Sequence, residues 1–180
     1  MLIDDFLPAY EVSERHEIKV HATAVDVYRA VRELDISRAR ITRWLFRLRG
    51  IPTNSKFSLE DFLKMRFVLL SERPNEELLL GLVGRFWTPT GELQRVNAEM
   101  YCTFNKEGFA KAAWNFSLTP ETEDTTLLVT ETRVHCMDKA SQRQFRFYWF
   151  LIGAFSGLVR KEILQQLKRN AESLRLQRAA

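Results

Sequence analysis

The stretch "RFYWFLIGAFSGLVRK", Arg146 to Lys161, decides the fold. From Phe147 to Val159 it runs 13 residues without a charge, and apolar side chains fall on nearly every side of the helix its spacing predicts. A helix apolar all round has its base and both flanks covered. The run is too short for a membrane span, which requires roughly 20 residues, and "RQFR" and "RKE" stop it at either end. The expectation is therefore a buried helix. Gly153 and Gly157 lie on one stripe of it. They let a sheet or a short helix approach closely, or they weaken the helix enough to bend around a bound molecule.

Helical spacing extends outward from this segment, from Ser141 to about Leu176. Upstream the period is two. "RFVLLSE" and "ELLLGLVGRFW" read as strands joined by the turn "RPNE", followed by "LQRVNAEMYCTF", "FAKAAWNFSLT" and "TTLLVTETRVHCM". Short joints make these consecutive antiparallel neighbours. Near the start, "VSERHEIKVHA" alternates, with His16, Ile18, Val20 and Ala22 on one side. Next come two short helices. Thr23 and Asp26 have capping-box spacing ahead of Val27, Tyr28, Val31 and Leu34. Ser37 caps a second stripe of Ile41, Trp44, Leu45 and Leu48, which Gly50 and Pro52 end. "SLEDFLKM" adds a further short turn of helix. The helices should cover the one apolar face of an antiparallel sheet.

The chain of 180 residues, 46% of them hydrophobic, fits one domain with a sizeable core. "MLIDDFLPAY" has two aspartates where a signal peptide is basic, so a soluble, cytoplasmic protein is expected. The apolar "FLPAY" in it closes either a pocket or a dimer. Cys102 and Cys136 sit in apparent strands and read as reduced core residues. The net charge of +4 is uneven: Lys139 to Ala180 holds nine basic and two acidic residues, a net of +7. A second basic cluster, Arg38, Arg40, Arg43, Arg47 and Arg49, contains no acid. These clusters are either the solvated faces of helices or a docking surface for an anionic membrane or acidic partner. No nucleic-acid partner is expected, because only Trp44 and Phe46 interleave the arginines.

The order strand, two helices, strand run and long helix, together with "GRFW" (84–87), "GFAKAAWNFSL" (108–118), "TLLVTETRV" (126–134) and "FRFYWFLIGAFSGLVRKEIL" (145–164), resembles a bacterial branch of the START/SRPBCC superfamily. The resemblance covers about Glu14 to Ala171 and implies an α+β helix-grip fold. In that fold a curved antiparallel sheet of about six or seven strands wraps a long C-terminal helix, with two short helices after the first strand. It also implies a cavity between sheet and helix for an apolar or amphipathic small molecule, and brings no catalytic residue with it.

Alternation supplies candidate ligand-binding residues. Arg85 and Trp87 share a side, as do Trp114 and Phe116, with Ala112 and Leu118 beside them. Leu127, Val129, Glu131, Arg133 and His135 share a face that begins apolar and ends charged, as at a cavity mouth. The opposing reading places Glu131 and Arg133 on the solvent face with cross-strand partners. Tyr148, Trp149, Ile152 and Phe155 are the counterparts on the terminal helix. Trp87, Trp114 and Trp149 would supply flat walls or simply fill the core. Tyr148 needs a hydrogen-bond partner, either Glu131 or a ligand.

Three histidines without ligand spacing suggest no metal, and no nucleotide fingerprint or nucleophile elbow suggests a cofactor. The functional expectation is binding or carriage of a lipid or polycyclic metabolite by a monomer or homodimer. The alternatives are a cyclase/dehydratase-type enzyme, with acid/base work by Glu131, Arg133, His135 or Tyr148, and a basic module touching an anionic membrane.

Overall fold

The computed structural model describes residues 1–34 and 59–179. The helix expected after Ser37 and the Arg38 to Arg49 cluster lie outside them. In chain order the elements are α1 (Leu2–Phe6), β1 (Val12–Val20), α2 (Ala24–Arg32), α3 (Leu59–Lys64), β2 (Val68–Arg73), β3 (Glu77–Gly84), α4 (Ala98–Thr103), β4 (Ala110–Thr122), β5 (Thr125–Cys136) and α5 (Lys139–Ala179). The five strands form one curved antiparallel sheet in the order β1-β5-β4-β3-β2. The first strand therefore closes against the last.

α5 is 41 residues long, about 60 Å at 1.5 Å per residue. Its C-terminal half and α2 cover the inner face of the sheet. Val27 and Val31 of α2, with Leu34 just beyond its end, meet Ile163, Leu164 and Leu167 of α5 over Leu78, Leu80, Phe116 and Leu128. Each such side chain, fully withdrawn from water, contributes about 1.5–3 kcal/mol. Thr23 caps α2 as its spacing predicts, accepting from the Asp26 amide at 3.2 Å.

Five expectations need correction. The sheet has five strands because Ala98–Thr103 is a helix. Asn97 caps it, with its Oδ1 accepting from the Met100 amide at 2.7 Å, and an Asn cap followed by Glu99 outweighs an alternation that fits either period. Cys102 is accordingly exposed on α4, whereas Cys136 is buried in β5, where burial pushes its thiol up to about 12. "GRFW" is not strand beyond Gly84: the Arg85 amide donates to the Gly91 carbonyl at 2.7 Å and the chain turns.

Helices also cover both faces of the sheet. On the outer face Leu2, Ile3 and Leu7 pack with Tyr101 of α4 against Leu79, Val83 and Ala113. The continuous apolar run of β3 is the reason, since a strand buried on both sides loses its alternation. The N-terminal segment thus lies on the outer face of the sheet. The Leu2 amide donates to the buried Glu77 carboxylate at 2.8 Å.

The fifth correction concerns the middle of α5. It is covered on its sheet side only, leaving Phe147, Phe150, Leu151, Phe155 and Leu158 exposed. Close approach to the sheet is what the structure shows for Gly157, whereas a Cβ at Gly153 would meet Trp149 of the same helix. A Cβ at Gly157 would stand 2.7 Å from Glu14 Oε1.

Asp138 starts α5. It accepts from the Ser141 hydroxyl at 2.6 Å, the Ser141 and Ala140 amides at 2.9 and 2.8 Å, and the Gly108 amide at 2.6 Å. These donors, Ser141 first, hold its carboxyl at about 2, below the ordinary 3.8. As pH falls the unfolded chain takes up this proton first. The stabilisation is therefore full above about pH 4 and is lost as pH falls toward 2. Asp138→Asn is expected to lower the Tm at neutral pH and to flatten the decline of Tm between about pH 4 and 2. A wild-type slope in the variant would assign that decline to other groups.

Candidate functional site

Cross-strand register determines which side chains share the inner face. One row runs Glu14 (β1), Thr132 (β5), Trp114 (β4), Leu80 (β3) and Leu69 (β2). The next row toward α2 runs His16, Thr130, Phe116 and Leu78, and on the other side lie Val12, Val134, Ala112 and Leu82. The inner face is thus polar at β1 and apolar at β3, with Trp114 between.

At the polar end, His16 Nε2 lies 2.9 Å from Glu14 Oε1. Arg160 reaches in from α5, its Nη1 3.5 Å from Glu14 Oε2 and bonded to the Ser156 hydroxyl. Burial pushes the Arg160 guanidinium down, and the Glu14 carboxylate opposes that shift. Trp114 Nε1 donates to the Thr130 hydroxyl at 2.7 Å, and that hydroxyl donates to the Asn115 carbonyl at 2.8 Å. Four buried side-chain atoms among the described residues lack a hydrogen-bond partner. Three of them, Glu14 Oε2, Thr132 Oγ1 and Arg160 Nε, belong to this cluster. An acceptor, a hydroxyl and a donor left open together suit a small polar group arriving from outside.

At the apolar end is a cleft of about 760 Å³ lined by Phe62, Met65, Phe67, Leu82, Phe86 and Leu93, with Lys64, Arg66 and Glu92 also on its wall. Phe62 and Phe67 meet the Trp114 ring edge-on at 5.4 and 6.4 Å. Trp114, Ala112 and Leu82 are only half-buried, so the described helices do not seal the face between the two ends.

The residues picked from sequence scatter around this site. Trp114 is central to it. Phe116 is packed into the core beside it. Glu131 and Arg133 lie on the outer face, opposite Trp114, because Trp114 pairs with Thr132 and odd-numbered residues of β5 point away. There Glu131 Oε1 accepts from Arg133 Nε at 2.7 Å and from the Ser13 hydroxyl at 2.8 Å. Arg133 Nη2 pairs with Asp4 at 2.8 Å and its guanidinium covers the Tyr10 ring.

His135 is held by Glu11 on the same outer side. Arg85 clamps a turn, donating to the Gly108 carbonyl at 2.8 Å. Trp87, Tyr148 and Trp149 cluster on Phe145 at the start of α5, with Tyr148 on the face away from Glu131. Ile152 is half-buried and Phe155 points outward. Sequence reasoning missed Glu14, Thr132, Ser156, Arg160 and the three phenylalanines of the cleft, Phe62, Phe67 and Phe86. The signal for the first was present, since Glu14 and His16 share the alternating side of the apolar Ile18 and Val20.

Fold and site together define an α+β protein with a buried polar cluster at the β1 end of the inner sheet face and an apolar cleft at the β3 end. No family model matches the chain, and no curated protein matches it in sequence. Among solved structures it is similar to a conserved protein from Geobacillus kaustophilus (12% identity, 90% of this chain and 96% of that one, TM-score 0.48). A protein of Mesorhizobium loti (13% identity, 90% and 98%, TM-score 0.48) and the Zhui aromatase/cyclase of a Streptomyces species (12% identity, 89% and 93%, TM-score 0.33) are also similar. Among the described residues no group of three or more His, Cys, Asp or Glu could hold a metal, and no helix is long and apolar enough to cross a membrane.

Glu131→Ala leaves Arg133 buried with an exposed Asp4 as its remaining ion-pair partner. It is expected to cost about 3 kcal/mol in urea unfolding, while uptake of a probe by the cleft stays as in wild type. A loss of probe binding with unchanged stability would relocate the site to the outer face.

Proposed function

We propose that this protein binds or carries a hydrophobic or amphipathic small molecule, a lipid or polycyclic metabolite, in the recess between sheet and C-terminal helix. The fold on this reading is a helix-grip of the START/SRPBCC kind. The observation that carries it is the gradient along one face. Three buried polar atoms without hydrogen bonds stand at one end, an apolar cleft stands at the other, and a half-buried tryptophan lies between them. The volume lies within the roughly 300–1,000 Å³ of small-molecule sites. The apolar body of the ligand rests against Phe62 and Phe67, and its hydroxyl or carbonyl end meets Arg160, Thr132 and Glu14.

The test is titration with the amphipathic fluorophore anilinonaphthalene sulfonate, alongside native mass spectrometry of the protein as purified. Trp114→Ala is expected to weaken the fluorophore at least about tenfold, corresponding to loss of one large aromatic contact. Arg160→Met should weaken it, but not an uncharged hydrocarbon competitor. Wild-type affinity in both variants would defeat this reading.

A second reading is favoured by the His16–Glu14 pair, in which an oriented carboxylate steadies an imidazole as in general-base sites. It makes the protein a cyclase/dehydratase-type enzyme on an enolisable substrate. Deuterium incorporation from solvent next to the carbonyl of an aromatic 1,3-diketone separates the two. Acceleration that His16→Gln abolishes while fluorophore affinity holds supports the enzyme, and exchange no faster than without protein supports the carrier.

A further inference from the structure

Phe150 is the most exposed large apolar residue of α5, at 83%, and it stands in a row. Phe147, Phe150, Leu151, Phe155 and Leu158 are all exposed and follow one another at steps of three, one, four and three, which places them on a single helical face. The row spans about 16 Å. Burying none of these side chains is costly in water, and contiguous apolar surface of this kind marks an interaction site.

The charges around the row identify what it meets. Arg143 and Arg146 precede it and Lys161 follows it on the same exposed side. Between Lys139 and Lys161 there is no acidic residue at all. Half-buried Tyr148 borders it, one of the two residue types that settle at the headgroup level of a bilayer, whereas Trp149 packs on Phe145 on the opposite, sheet-facing side. Apolar side chains in a row with cations at both ends are the pattern of a helix lying in a membrane interface.

A second copy of the chain fits less well. A parallel or an antiparallel pair of such rows sets cations against cations at both ends. A single row of five side chains is also much narrower than the roughly 20–30 residues per side of a stable protein interface. Spanning is excluded by length, since 13 uncharged residues fall short of the roughly 20 required.

We infer that the exposed face of α5 from Arg143 to Lys161 docks the protein on an anionic lipid surface, with the five apolar side chains entering the headgroup boundary and the flanking cations pairing with lipid phosphates and carboxylates. This does not rest on the ligand reading, and it places membrane contact on α5 rather than on the arginine cluster before Gly50.

The test is co-sedimentation of the full chain with vesicles of phosphatidylcholine alone and of phosphatidylcholine with phosphatidylserine. Binding is expected to favour the anionic vesicles and to weaken as salt rises. Phe147→Asp with Phe150→Asp should lower partitioning at least about tenfold. Arg143→Gln with Arg146→Gln should reduce binding to the anionic vesicles toward that to the neutral ones. The altered side chains are exposed, so circular dichroism should match wild type; Phe150→Ser alone gives the same direction with less perturbation.

Failure of the wild type to bind anionic vesicles overturns the inference, as does binding indifferent to both double variants. If the chain instead dimerises in sedimentation equilibrium, and Phe150→Ser abolishes the dimer without vesicle binding in either protein, the row is an interface between copies and the inference is wrong.

Discussion

Gly157 has no side chain at the point where α5 crosses β1, and this sets the spacing on which the inner face depends. Glu14 Oε1 and His16 Nε2 occupy the positions, 2.7 and 3.5 Å away, that a Cβ would contest. With the helix this close, Arg160 one turn further on reaches the Glu14 carboxylate from above the sheet. A side chain at 157 would push the Glu14 carboxylate, the flexible end of its side chain, out of this position and away from His16 Nε2. The approach of the helix and the electrostatics of the polar end are therefore coupled through one position.

The sheet amplifies this coupling because β1 sits beside β5. Pairing the first strand with the last places Glu14 and His16 in the same rows as Trp114 and Phe116, although about a hundred residues separate them in sequence. The rows then carry the change from polar to apolar without interruption to β3 and the cleft beyond it. A ligand spanning that gradient would replace water at both ends by contacts the protein already holds in place, which is how preorganised sites gain affinity.

Much of this was legible in the sequence, and the exceptions have physical causes. The long terminal helix, the α2 cap at Thr23 and the antiparallel run followed from period and capping chemistry. Alternation along β4 grouped Trp114 with Phe116, and alternation along β1 grouped His16 with Ile18. What alternation lacks is any link between strands. It could not say that Trp114 lies over Thr132 rather than over Glu131, and a slip of one residue in that pairing carries a whole set of side chains to the other face. The helix at Ala98 was hidden because Asn97 and Glu99 provide capping chemistry within a stretch whose apolar residues fit a period of two as well. The exposed face of α5 was hidden for the opposite reason. Apolar residues all round a helix signal burial, and nothing in composition tells burial in protein from burial in another apolar phase.

Two ion pairs on opposite faces show why hydrogen-bond accounting separates scaffold from site. On the outer face Arg133 is matched by Glu131, Asp4, the Leu7 carbonyl and the Tyr10 ring, and the Glu131 carboxylate also accepts from Ser13. Every charge has a partner, as expected of a pair whose work is to hold the N-terminal segment to the sheet. On the inner face Arg160 and Glu14 are also largely withdrawn from water, though less so than the outer pair, yet the guanidinium Nε, the carboxylate Oε2 and the neighbouring Thr132 hydroxyl are buried without hydrogen bonds. Among the described residues the one other atom of this kind, the Tyr101 hydroxyl, stands apart on the outer face. A lone unsatisfied hydroxyl is a tolerated cost of packing. Three such atoms on Glu14, its cross-strand neighbour Thr132 and its ion-pair partner Arg160, at the end of a row that leads toward an apolar cleft, amount to an incomplete donor and acceptor set, and that incompleteness favours the inner pair as the place where a ligand belongs.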